Sequence, residues 1–590
     1  MSYPVPPTPN CYLGYGVTVS CNRSATPLVP DIDHWYTVRE FIFSAMAKKS
    51  KKFIFVVGGV MSSVGKGITA ASIGQILQTK GFTVTAVKAD PYVNIDAGTM
   101  NPTEHGEVFV TDDGDETDQD MGNYERFLDT DLTSANYMTT GRVYETVIHK
   151  ERNLEYKGKC VEVVPHIPEE IIRRIKAAAT KNNAEITVIE IGGTVGEYQN
   201  ILFLEAARTM KLSSPKDVAF VLVSYLPIPA MVGEMKTKPT QHAARLLNSA
   251  GIQADFIICR AEREIDAPRR AKLAISCGVP ADHAISAPDA RSIYEVPVRL
   301  ENEKLGEKLL KTLNLRARKK DSSAIKAFAT KIATAQDGKR EVKIAVVGKY
   351  FGTGDFTLAD SYISVIEALK HAAWHHNARP VLTWVDAEQY EKDPALVREL
   401  ANFDGVLVPG GFGSRGIEGV IRAIQFVREK KIPYFGICYG MQLACVEFSR
   451  SVLGHTKANT QEINPKTPHP VIIMNPHQQK NVANKRYGGT MRLGAYDCTI
   501  TRGTRAYAAY KAADISERHR HRYEFNNDFR DELTRAGMTF AGVNKEQDLV
   551  EIIELPDHPW FVGVQFHPEF KSRPRRPHPL FREFVGACIG

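Results

Sequence analysis

KFIFVVGGVMSSVGKGITAASIGQILQTKG, residues 52–81, decides the fold. Residues 53–57 are a short run of apolar, largely β-favouring side chains. A glycine-rich turn follows, then a helical stretch over 68–79 that stops at Gly81. Strand, glycine turn and helix in succession make the unit from which parallel α/β sheets are wound. Apolar runs recur at 84–87, 187–191, 219–223 and 256–259, with helical segments such as 169–179 between them. Strands apolar along their whole length are covered on both faces, so the pattern predicts an open, mostly parallel, doubly wound α/β domain over 46–316.

Residues 317–340 turn polar and charged, and a strand pattern restarts at 342–347. The reading is an interdomain linker at 317–340 and a second open α/β domain over 341–590. Its strands are placed at 344–347, 405–408 and 432–436, and its helices at 361–371, with Asp360 as cap, and 417–428. Residues 1–45 hold Pro and polar residues without a charged start and apolar core, so they read as a poorly ordered extension rather than a secretory signal, with Met46 as a candidate start of the folded unit.

Bulk properties narrow the class. Of 590 residues, 43% are hydrophobic and 24% charged, the balance of a globular protein with several cores. A net charge of +7 without a concentrated basic stripe predicts no nucleic-acid binding. The longest apolar stretch, 219–232, is broken by Ser224, Pro227 and Pro229 and falls short of the ~20 residues of a membrane span. Nine scattered cysteines without a C-x-x-C pair point to free thiols in a reducing, cytoplasmic setting.

Three segments of the second half carry chemistry. Gly436-Ile437-Cys438-Tyr439-Gly440 follows a strand and opens a helix, so Cys438 sits where a nucleophile elbow would hold it. Taken alone, such a cysteine is as readily a buried structural thiol. Phe566-His567-Pro568-Glu569 ends a later apolar run and offers an imidazole with a carboxylate two residues on, the partners a thiol nucleophile requires. Pro409-Gly410-Gly411-Phe412-Gly413 is another post-strand glycine turn, able to present N–H groups to an oxyanion together with that of Tyr439. Together the three resemble class I glutamine amidotransferases. That resemblance implies that Cys438 attacks the glutamine carboxamide, His567 shuttles the proton, Glu569 orients it, and ammonia leaves.

In the first half, residues 58–67 read as a phosphate loop with Lys66 neutralising phosphate charge. The loop departs from the plain Walker pattern by one extra residue and by Gly67 in place of Ser or Thr, and on pattern alone it is as readily an ordinary turn. Residues 112–120 place six carboxylates in nine positions. An acidic surface loop is the simpler reading, and hard oxygen ligands for Mg²⁺ the alternative beside a phosphate loop. Glu190, at a strand end before Gly192-Gly193, is a second candidate ligand. Lys236, Lys238 and Gln241 in KTKPTQ suit a second polyanion.

GGVMSSVGKGI, KADPYVNIDAGTM, EHGEVFVTDDGDETDQDMGNYERF, EIGGTVGE, GEMKTKPTQH and SIYEVP are similar to segments of the CTP synthase family, a match running from about Lys52 to the C terminus. The resemblance implies ATP-dependent amination of UTP to CTP with ammonia from glutamine, activation by GTP, product inhibition by CTP, a homotetramer, and filament assembly as a family property. It implies ATP contacts at Ser63, Gly65, Lys66, Gly67 and Lys88, Mg²⁺ ligands at Asp120 and Glu190, and UTP or CTP contacts at Ser62, Lys236, Lys238, Gln241 and Lys272. His105 resembles the residue lining the ammonia passage. Gly411, Gln442, Glu462 and Arg522 resemble the glutamine-binding set, and Arg415 and Glu418 match the region linked to GTP.

Two segments depart from the family pattern. Tyr439 stands where Leu is usual, and Glu197-Tyr198-Gln199 replaces Asp-Ile-Glu in a loop with which the family senses CTP, so product inhibition is the property this change touches. Another amidoligase coupled to a glutaminase, as in corrin-ring amidation, is a rival reading, opposed by the acidic loop, KTKPTQH and the full Cys-His-Glu set. A catalytically silent filament scaffold is a reading of another class, opposed by the intact Cys438, His567, Glu569 and Lys66.

Overall fold

The computed structural model describes residues 50–590 apart from 320–321, 350–351, 354–355, 358, 476–477 and 479–487. The predicted extension 1–45 and Met46 lie outside the described residues, as do Lys320 and Asp321 of the predicted linker. Seven parallel strands form the first sheet, in the order Tyr137–Thr139, Val84–Asp90, Ile186–Ile191, Lys52–Gly58, Val218–Tyr225, Phe256–Ala261 and Ala284–Pro288. Lys52–Gly58 is buried along its whole length. Its alternate residues feed two cores: Ile54 and Val56 pack with Ile73, Ile76 and Leu77 of helix Lys66–Thr79, whereas Phe53, Phe55 and Val57 face Ile171 and Ile175 of helix Val163–Lys181. With a period of two and helices on both faces, the residues from Phe53 to Val57 are all apolar, and Lys52 at the strand's start is paired with Asp217 at 2.6 Å.

The second sheet has nine strands. Five are parallel, in the order Arg379–Asp386, Glu341–Gly348, Gly405–Val408, Tyr434–Ile437 and Phe561–Val564. Leu549–Glu554, Thr539–Asn544, Arg492–Ile500 and Asp514–His521 extend it antiparallel. This extension is not visible as apolar runs because its outer strands carry charge, as in DISERHRH.

The predicted linker is mostly a helix, Ser323–Asp337. Its polar face dominates the composition, but Ile325, Ala329 and Ile332, spaced four and three apart, are buried, and Ile325 and Ile332 join the first core. The helix predicted from 361 begins at Ile363 after a tight turn Ala359–Tyr362, so Asp360 is not its N-cap. Among the described residues, no helix is long and apolar enough to cross a membrane.

Candidate active sites

Cys438 ends strand Tyr434–Ile437 and stands at the N-cap of helix Tyr439–Ser451, with φ 49° and ψ −96°. Such a conformation is costly for a residue with a Cβ and persists only where the surroundings enforce it. The flanking glycines do so. A Cβ on Gly440 would lie 2.4 Å from the Val408 carbonyl oxygen, and one on Gly436 would lie 2.8 Å from the Gly440 backbone. Gln565 donates to the Cys438 sulfur at 3.6 Å.

His567 follows strand Phe561–Val564, and its Nδ1 meets Glu569 Oε1 at 2.7 Å. Burial works against the imidazolium, but the Glu569 and Cys438 charges outweigh it and push His567 up to about 10. The ring needs the space that Gly410 leaves, since a Cβ there would be 2.8 Å from His567 Cε1. Cys438, His567 and Glu569 share one cavity of about 630 Å³, whose wall also includes Gly411, Gln442, Glu462 and Arg522. An imidazole held by a carboxylate in the same cavity as a strained sulfur is the partner set that a thiol nucleophile requires.

The turn 409–413 is anchored along its length. Tyr362 donates through its hydroxyl to Gly410 O at 3.3 Å, and Lys349 and Tyr439 donate to Gly413 O at 2.6 and 3.0 Å. Glu462 accepts from Gly413 N at 2.8 Å. Lys349 also lies 4.9 Å from the centroid of the Tyr439 ring, and burial pulls its pKa down to about 8. Tyr439, unusual by family pattern, thus has a task in this turn that a leucine cannot perform.

In the first half, Gly65 (φ 91°) turns the chain into helix Lys66–Thr79, and Lys66 donates to Gly193 O at 2.8 Å. Gly67 is explained by Asp120: a Cβ there would lie 1.9 Å from Asp120 Oδ1. A carboxylate therefore occupies the space beside the helix start where the Walker pattern carries Ser or Thr. Lys88 is buried among Asp120 (2.5 Å), Glu190 (3.0 Å), Asp118 (3.4 Å) and Asp90 (3.6 Å). Burial opposes its charge, yet the four carboxylates hold Lys88 well above the usual lysine range. Burial and Asp120 push Glu190 up to about 7. Burial likewise lifts Asp90 to about 6, while Lys88 and His105 overcome burial to hold Asp118 down. His105 Nε2 is 3.3 Å from Asp118 Oδ2, which places it at the edge of this cluster. Four carboxylates around one ammonium leave an excess of hard oxygen ligands. Asp120 and Glu190 are both bound to Lys88, and the ligand atoms of Asp90, His105 and Asp118 lie within 4.8 Å of one another, a set able to hold a metal ion.

The acidic segment 112–120 is not a solvated loop. Asp113 accepts from Ser134, Asp115 is paired with Arg142 at 2.7 Å, and only Asp118 and Asp120 turn toward Lys88. Asp112 and Glu116 reach the other half, to Arg518 and to Arg520 at 2.8 Å. Arg518 and Arg573, both buried, also share Glu125 at 2.9 and 2.6 Å. Glu125, Arg518, Arg520 and Arg573 of this seam escaped the sequence reading, as did Lys349, Tyr362 and Glu107. RHRHR over 518–522 carries the missed signal: with period two, Arg518 and Arg520 fall on one strand face.

Other predicted residues stand apart. Ser62 and Ser63 are exposed on the loop. Lys236 pairs with Glu234 at 2.6 Å, Lys238 opens helix Lys238–Ser249, Gln241 donates to Thr237, and Lys272 is exposed on helix Ala267–Cys277. Among the described residues, no hydrogen bond or ion pair joins this set to Lys66 or Lys88. Arg415 pairs with Glu388 at 2.7 Å and Glu418 with Arg450 at 2.8 Å, both outside the cavity wall. Glu197 folds back to accept from Thr194 N at 3.0 Å, leaving Tyr198 and Gln199 exposed.

Comparison with known proteins agrees with both halves of this description. The family model described as CTP synthase N-terminus matches residues 52–315, and that of class-I glutamine amidotransferase matches 357–587. The chain is 50% identical over 539 residues to a CTP synthase of Carboxydothermus hydrogenoformans, covering 91% of this chain and 98% of that protein. It is 49% identical to one of Bdellovibrio bacteriovorus, covering 91% and 99%. The solved glutaminase domain of Trypanosoma brucei CTPS with bound acivicin aligns at 36% identity, over 42% of this chain and 93% of that one, with a TM-score of 0.39. With half of all positions shared along nearly the full length of such relatives, the chain is a glutamine-hydrolysing ligase and belongs to the CTP synthase family.

Proposed function

We propose that the chain aminates UTP to CTP at the expense of ATP, with ammonia that its own second half releases from glutamine. The observation that carries this reading is the shape of the 630 Å³ cavity. Cys438, His567 and Glu569 form one wall, and Gly98, Thr99, Pro102, Glu107 and Val108 of the first half form another. Helix Pro102–His105 leads from that wall to the Lys88 cluster, so a small neutral molecule set free at the thiol has a short way to the nucleotide side.

In the glutaminase half, 341–590, Cys438 Sγ attacks the carboxamide carbon and the N–H groups of Gly411 and Tyr439 receive the oxyanion. His567 gives its proton to the leaving nitrogen, ammonia departs, and water cleaves the thioester to glutamate. Glu569 holds the imidazole. Glu462 and Arg522 bind the α-amino and α-carboxylate groups, and Gln442 supports the pocket.

In the synthetase half, 46–316, joined through 317–340, Ser63, Gly65, Lys66 and Gly67 cradle the ATP phosphates, and Ser62, Lys236, Lys238, Gln241 and Lys272 bind UTP or CTP. The uracil O4 attacks the γ-phosphorus with loss of ADP; ammonia then adds at C4 and phosphate leaves. Lys88 follows the transferred phosphoryl group, and His105 lines the entry of ammonia. Asp120 and Glu190 would hold Mg²⁺, which when bound neutralises phosphate charge. GTP acts through the region of Arg415 and Glu418, CTP inhibits as product, and the active form is a cytoplasmic homotetramer.

The test is to supply UTP, ATP, Mg²⁺ and glutamine and follow CTP by absorbance. The expected result is CTP with glutamine or with ammonium. No product from ammonium would reject the reading.

A further inference from the structure

Helix Ile363–His375 of the glutaminase half starts without a side-chain cap of its own. Its cap comes from the other half. Glu107, just before strand Val108–Val110, accepts from the Ser364 backbone N–H at 3.1 and 3.2 Å and from the Ser364 hydroxyl. A carboxylate there satisfies an orphan helix donor and meets the positive end of the helix dipole. One turn away, Ser361 donates to Pro102 O at 3.2 Å, so the first half grips this helix start at two points. Both Glu107 and Ser364 are buried.

What the grip holds is the oxyanion turn. Tyr362, between the two gripped serines, donates its hydroxyl to Gly410 O at 3.3 Å. The Gly410 carbonyl and the Gly411 N–H belong to one planar trans peptide, so fixing the first aims the second in the opposite direction. A Gly-Gly step has little intrinsic preference among orientations, and this contact supplies one. The geometry points to Glu107 as a positioning residue for glutamine hydrolysis, acting from the synthetase half through Ser364, Tyr362 and the Gly410–Gly411 peptide. This inference rests on the proposed role of the Gly411 N–H as an oxyanion donor.

The link also explains why a carboxylate is tolerated at a site where burial, the largest influence, pushes Glu107 up to about 7. Glu569 across the cavity adds to the rise, and Ser364 and Arg126 oppose it. It further connects the two chemistries, because Glu107 lies two residues beyond His105 at the rim of the Lys88 cluster.

The experiment measures glutamate release from glutamine by the full chain and by Glu107→Ala, Glu107→Gln and Tyr362→Phe, with thermal midpoints recorded alongside. Glu107→Ala is expected to lower kcat about tenfold with KM for glutamine little changed, part of the ~10²–10³ lost when an oxyanion donor is removed outright. Glu107→Gln keeps an acceptor for Ser364 and is expected to recover to within about threefold of the parent. Tyr362→Phe removes one hydroxyl and is expected to lower kcat like Glu107→Ala while folding normally; should Glu107→Ala not fold, this variant decides alone. Parental kcat in Tyr362→Phe, or Glu107→Gln as impaired as Glu107→Ala, overturns the inference. An unaltered chain that releases no glutamate at all would instead contradict the proposed function.

Discussion

Around Cys438 the ionisable groups pair off, His567 with Glu569 in one cavity, whereas around Lys88 four carboxylates and His105 share one buried cluster. Cys438, His567 and Glu569 come from one half of the chain and combine backbone strain with a single proton carrier, while the other half closes their cavity. The cluster at Lys88 carries excess negative charge, which suits a cation and, only through that cation, a polyphosphate. The difference teaches that one polypeptide holds a thiol site set by local geometry and a lysine–carboxylate cluster set by charge. The buried arginines Arg518 and Arg573 join the two halves through Glu125, and the two sites can be broken separately.

The largest separation is expected from Cys438→Ala, which should lower glutamine-dependent CTP formation by ~10⁴ or more while ammonium still supports synthesis. Next is the seam: Arg518→Met removes one of the two buried arginines at Glu125, leaving Arg573, and leaves Asp112 with Lys571 at 3.5 Å, and should cost about 3 kcal/mol in denaturant unfolding. Lys88→Met breaks the comparison from the other side, with ammonium-dependent CTP formation down by ~10²–10³ and glutamate release retained. Magnesium chelation should divide the two activities in the same way.

A smaller effect is one of pH. The folded pKa of His567 is raised to about 10 from its ordinary value of 6.5, so its stabilising contribution is complete below that ordinary value and is lost as pH rises through about 10. The stability gap between the chain and His567→Gln, read from thermal midpoints, should narrow over that window. Smallest is Tyr439→Phe, which removes the hydrogen bond to Gly413 O and should cost about 1 kcal/mol, several-fold in glutamate release.

The buried parallel strands were legible because position after position of Lys52–Gly58 meets a helix, so the sequence is apolar from Phe53 to Val57. Cys438, His567 and Glu569 were legible because strain and hydrogen bonding bind them to short local patterns. The antiparallel extension was not, since DISERHRH hides a strand under charges whose partners lie some four hundred residues away. Acidic residues 112–120 misled for the same reason: nothing local distinguishes Asp118 and Asp120, turned to Lys88, from Asp112 and Glu116, turned to Arg518 and Arg520. Helix Ser323–Asp337 was masked by its own polar face.

The central claim is that nitrogen freed at Cys438 reaches the nucleotide site inside the protein. Its most direct test is CTP formation from amide-¹⁵N glutamine in excess unlabelled ammonium at a pH where little free ammonia is present. The account predicts CTP carrying the label at its 4-amino group, undiluted by the bulk pool. Label diluted to the isotopic composition of the medium would contradict it.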